Sequence, residues 1–133
     1  VNLKLVDLKR VADALREECP FIQFAIVSGI DEEGRPDLLN NVELSVLLDQ
    51  NTGFCYALEK ILPVITDLIP TNLCEVVLLN RVDLKTRFKA SNSRCLFIQQ
   101  GMEQTYRAFI QQARLDFRIM KAKGRLNGVI YSD

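Results

Sequence analysis

Asn41 and Glu43 stand two apart in a β-branched run, and Glu75 sits inside the apolar stretch Leu73-Cys74-Glu75-Val76-Val77-Leu78-Leu79. On an extended chain, residues two apart share a face, so Asn41 and Glu43 point the same way. An acid flanked by Val and Leu is costly to bury without a partner. Two such acids suggest a shared mouth at one edge or face of a sheet. Upstream, Gly29-Ile30 ends another apolar stretch, and ten residues (Asp31 to Asn40) separate it from Asn41.

Other chemistries are removed by composition. The 133 residues contain no histidine, which excludes Ser-His and Cys-His nucleophile pairs, histidine bases and His-containing metal sites. Ser28 and Ser45 have no partner base visible in the sequence and are discounted as nucleophiles. The four cysteines, Cys19, Cys55, Cys74 and Cys95, form no C-x-x-C pair and have apolar neighbours, so four buried, reduced thiols are expected. Lys plus Arg and Asp plus Glu both number 17, which argues against a protein built to wrap nucleic acid. No apolar run approaches a membrane span. Val1-Asn2-Leu3-Lys4 lacks the apolar core of a signal peptide, and a cytoplasmic protein is expected. With 48% apolar and 26% charged residues, the chain reads as one globular domain over 1–133, its core at about 7–122 and its tail 124–133 loose.

The elements that must position these residues follow from periodicity. Leu8, Val11, Ala12 and Leu15 make the apolar stripe of a helix over 7–19, with Asp7 as N-cap and Pro20 beyond its end. Strands are expected at 21–28, 42–49, 73–79 and, at the sheet edge, 94–98. A helix over 53–68 contains Pro63, which should kink or divide it. Leu84 to Ala90 suits a short helix. Residues 102–122 suit a long one with Tyr106, Phe109, Ile110, Ala113, Phe117 and Met120 on one side, as core or as an exposed oligomer stripe. Arg114, Arg118, Lys121, Lys123 and Arg125 near its end read as a solvated basic face suited to the helix dipole. Strand pairing stays open between parallel and antiparallel, giving an α/β or α+β sheet backed by helices.

These spacings resemble the minimal nucleotidyltransferase family of the polymerase-β-like superfamily. The family pattern is Gly-Ser, about ten residues, Asp-x-Asp before an apolar strand, then a third acid on a neighbouring strand. This chain has Gly29-Ile30, ten residues, Asn41-Val42-Glu43-Leu44-Ser45-Val46-Leu47-Leu48-Asp49, then Cys74-Glu75-Val76-Val77-Leu78-Leu79-Asn80; Gly34 matches a loop glycine. The resemblance implies a mixed sheet of about four strands backed by helices. It also implies a nucleotide-binding element at Gly29, Ile30 and Gly34, and a metal site at Asn41, Glu43 and Glu75.

The departures have chemical weight. In the family, three carboxylates hold two Mg²⁺ ions. Asn41 lacks a charge, while Glu43 and Glu75 add a methylene where magnesium demands near-octahedral oxygen geometry. Ile30 has no hydroxyl for phosphate. Asp31-Glu32-Glu33-Gly34-Arg35-Pro36-Asp37 sets four acids against one base and should repel ATP. The expectation is a catalytically degenerate module with no cofactor, weak or absent nucleotide binding, and a protein partner: a HEPN-domain protein, as the resemblance implies, or a second copy. The alternative is an active enzyme transferring AMP from ATP, with Mg²⁺ on Glu43, Glu75 and the Asn41 carbonyl.

Overall fold

The computed structural model describes residues 5–37, 41–69 and 74–126. The elements run α1 (Leu8–Glu18), β1 (Ile22–Ser28), β2 (Val42–Leu48), α2 (Phe54–Leu68), β3 (Cys74–Leu78), α3 (Leu84–Ser91), β4 (Arg94–Ile98) and α4 (Glu103–Leu126). The sheet order is β3-β2-β1-β4. β1 lies antiparallel to both β2 and β4, while β2 and β3 are parallel. The fold is thus α+β with a mixed sheet, and β4 is an edge strand as expected.

Helices cover both faces. Val11 and Leu15 of α1 and Ala57, Ile61 and Ile65 of α2 join Ala25, Leu44, Val46, Leu48 and Phe97 in one core. Phe24, Ile26, Leu79 and Ala90 form the other, with Tyr106, Phe109 and Ile110 of α4 packed on it. The Phe24 and Tyr106 rings meet edge to face, with 5.1 Å between centroids. A register shift between Ile22 and Phe24 lets β1 serve both cores. Across it, Ile22 packs with the first cluster and Phe24 with the second, although strict alternation would put them on one face.

Local signals behave as capping chemistry requires. The Asp7 carboxylate accepts from the Arg10 amide at 3.1 Å, and Asp83 does the same for Thr86 at 2.9 Å at the start of α3. Three expectations need correction. Pro63 does not divide α2, which runs unbroken from Phe54 to Leu68; Pro63 and Glu59, whose carbonyl loses its amide partner, both lie on the exposed side, where water can serve that carbonyl. Of the cysteines, only Cys19 is buried; Cys55 is exposed on α2, and Cys74 and Cys95 are partly covered. Burial pushes the Cys19 and Cys74 thiols up to about 11. Finally, α4 runs four residues past 122, so positions 124–126 of the expected tail are helical; 127–133 lie outside the described residues. Among the described residues no helix is long and apolar enough to cross a membrane.

The segment after β1 is a compact turn. Asp37 donates its amide to the Gly29 carbonyl at 2.7 Å, and Ile30 bridges Pro36. The Asp31 carboxylate accepts from the amides of Glu33 and Arg35, both at 2.9 Å, and from Arg35 Nε at 3.0 Å. These bonds, the Arg35 amide first, hold the Asp31 carboxyl below its usual range. A lowered folded-state value means that this contribution is present above the unfolded pKa and lost as pH falls through the folded one. We expect the Glu33 and Arg35 amide resonances to titrate together below pH 3.8, the ordinary Asp value. Asp31→Asn should abolish that titration.

Asn80 lies just past β3 and clamps the sheet. Its amide donates to the Leu48 carbonyl at 2.9 Å, and its carbonyl accepts from the Leu48 amide at 2.8 Å. The side chain thereby extends the β2–β3 ladder by one rung. Asn80→Ala leaves both backbone groups of buried Leu48 unmet, and should cost about 1–2 kcal/mol in urea unfolding.

Candidate functional site

The strand register builds the site. Ser28 pairs with Glu43 across β1 and β2, and Glu43 pairs with Glu75 across β2 and β3. Paired residues share a face, so three polar side chains form one row across the end of the sheet. This row lies on the α3 and α4 side, because Leu47 and Val77, four and two places further along their strands' shared face, pack in that core.

A cleft of about 410 Å³ opens over the row, lined by Ser28, Gly29, Asp37, Asn41, Glu43, Glu75 and Lys89. Gly29 forms part of its wall because nothing larger fits. Its φ is +82°, and a Cβ there would stand 2.5 Å from the Asn41 carbonyl oxygen. The structure therefore brings Gly29, Asn41, Glu43 and Glu75 together. Ile30 and Gly34 are not among the cleft's lining residues. Ile30 packs against the α1/α2 core. Gly34, at φ +87°, lies against the backbone of Val6, whose amide donates to the Gly34 carbonyl at 2.7 Å. Both positions shape the turn behind the cleft.

Each acid already has a donor. The Lys89 ammonium, reaching in from α3, lies 3.2 Å from Glu43 Oε1 and 3.1 Å from Oε2, so one cation straddles the whole carboxylate. The Glu43 side chain is 25% exposed and that of Lys89 62%. Asn41 Nδ2 donates to Glu75 Oε1 at 3.5 Å, a long bond. Arg35, the base of the acidic loop, is committed to Asp31 at 3.0 Å and to Glu33 at 2.6 Å. Among the described residues, no group of three or more Asp, Glu, His or Cys side chains is placed to hold a metal.

Sequence reading missed Lys89, Ser28 and Asp37 as cleft residues. Nothing in the sequence marks Lys89, and only the packing of α3 beside the sheet end reveals its partner 46 residues away. Ser28 carried a usable signal: it stands one position before Gly29 and supplies a hydroxyl beside the glycine, where the family pattern puts one after it.

No family model matches the chain, and no curated protein matches it. Solved structures do match in shape. A mutant of the MntA–HpeT toxin–antitoxin pair with two Asp-to-Glu substitutions superposes with a TM-score of 0.69 at 14% identity, over 91% of this chain and 94% of that one. A toxin–antitoxin structure with AMP-PNP gives 0.67 at 13% identity, over 91% and 94%. A tri-AMPylated Shewanella oneidensis HEPN toxin in complex with MNT antitoxin gives 0.63 at 12% identity, over 90% of each chain. The order β3-β2-β1-β4 with helices on both faces is thus a fold that this chain shares with the MntA structures.

Proposed function

We propose that this protein acts by binding a partner protein, an antitoxin-type partner of a HEPN toxin, and that its nucleotidyltransferase cleft is catalytically degenerate. One observation carries the reading: the Lys89 ammonium straddles both Glu43 oxygens, where a metal-dependent transferase needs those lone pairs for cations. A two-magnesium site requires several charged oxygens around each ion at ~2.0–2.1 Å. Here Asn41 is neutral and its amide side points a donor at Glu75, the second acid. The carboxylates present do not fit such a cage. Nor does the loop offer a free base for a triphosphate, since Arg35 is held by Asp31 and Glu33. Toxin–antitoxin complexes among the structural neighbours support the choice of partner.

A second reading, AMP transfer to that partner, draws on three carboxylates (Asp37, Glu43 and Glu75) lining the cleft and on the AMP-PNP-bound and AMPylated neighbours. Purified protein incubated with labelled ATP, Mg²⁺ or Mn²⁺ and a HEPN partner separates the two. The expected result is a stable complex on size-exclusion chromatography without label on either chain. Robust labelling lost on Glu43→Ala would overturn the degenerate reading. Lys89→Met should raise Mn²⁺ affinity up to about fivefold in calorimetry, the equivalent of an exposed ion pair worth up to ~1 kcal/mol.

A further inference from the structure

We propose that the outward face of α4 is a docking surface for an acidic amphipathic helix of a protein partner. This goes beyond the reading of the cleft and holds whether or not the cleft is active.

At about 100° per residue, α4 sorts its side chains into three stripes. Tyr106, Phe109, Ile110, Ala113 and Phe117 face the sheet and α3. Diametrically opposite, Ala108, Leu115, Ile119 and Ala122 are all exposed. Leu115 is 49% and Ile119 42% exposed, where a solvated helix would carry polar residues. Between these two stripes runs a third: Arg107, Arg114, Arg118 and Lys121 follow at intervals of seven, four and three.

The basic stripe borders an open groove of about 530 Å³, lined by Phe88, Arg114, Phe117, Arg118, Lys121 and Ala122. Its floor is the stacked pair Phe88 and Phe117, with ring centroids 3.9 Å apart and planes 8° from parallel. Arg114 is fixed at its edge by a 2.8 Å bond to the Ser91 carbonyl, and Lys121 lies over the Phe117 ring at 5.5 Å. Arg107 and Arg118 pair with no carboxylate among the described residues. Glu103 lies one turn before Arg107 on this stripe but forms no ion pair with it among the described residues, and Asp116 accepts from Gln112 at 2.7 Å.

Charge decides the occupant. A second copy docking through a two-fold axis would set this basic stripe against itself. A phosphate backbone would satisfy the cations and leave Leu115 and Ile119 wet. A helix with Leu or Ile at i, i+4 and i+7, flanked by Asp and Glu, satisfies both stripes at once.

The test is fluorescence anisotropy on the full chain with a labelled helical peptide of that pattern, about 18 residues long so that it can hold a helix. The expected result is binding that falls about tenfold or more on Leu115→Asp with Ile119→Asp, and separately on Arg118→Glu. It should also weaken with added salt. These side chains are exposed, and circular dichroism checks that the variants stay folded. Four results would overturn the proposal: no binding to the wild type, equal binding of a sibling peptide with Lys in place of Glu, tighter binding of a single-stranded RNA of similar length, or binding only after residues 127–133 are removed. The last would make that segment the occupant of the face.

Discussion

Two carboxylates on neighbouring parallel strands must reach an accommodation with each other. The β2–β3 register fixes Glu43 beside Glu75, and strands lie only ~4.8 Å apart. Like charges at that spacing repel unless something positive lies between or beside them. In this fold α3 brings a lysine to the first acid, and Asn41 sets an amide against the second. The charge of Glu43 is thereby answered from within the chain, while Glu75 meets only a neutral donor. The chemistry open to the cleft follows from which cation, fixed or diffusible, answers that repulsion.

The register in turn depends on other features of the sheet. Asn80 secures the far end of the β2–β3 pair through both backbone groups of Leu48. Gly29 lets β1 leave the sheet within contact distance of Asn41. The shift in β1 turns Ile22 to one core and Phe24 to the other, so that Ser28 falls on the same face as Glu43. A single strand therefore serves two hydrophobic layers and one polar row.

Much of this could be read from residue types, for definite reasons. Helix α1 was legible because its stripe and its cap agree, and the strands because β-branched runs are bounded by turn chemistry. The shared face of Asn41 and Glu43 was legible from strand periodicity, whereas Glu75 was tied to them only by the family resemblance, because strand pairing stayed open. The Lys89 contact was not, since a charged residue on a short helix carries no sign of what it will face. Ile30 misled for a related reason. The family resemblance set it at a position that binds phosphate in that family, but a β-branched side chain beside a buried strand gains more by joining the α1/α2 core. Cys55 misled because free thiols are usually buried, yet its place on α2 faces away from the sheet.

The contact between Val6 and Gly34 has a mechanical consequence. The residue that leads into α1 donates its amide to the turn, and no side chain fits between the two backbones. Chain entering the first helix is thus stitched to the back wall of the cleft. A displacement at either place is transmitted to the other through one hydrogen bond, which couples the stretch ahead of α1 to the turn behind the cleft.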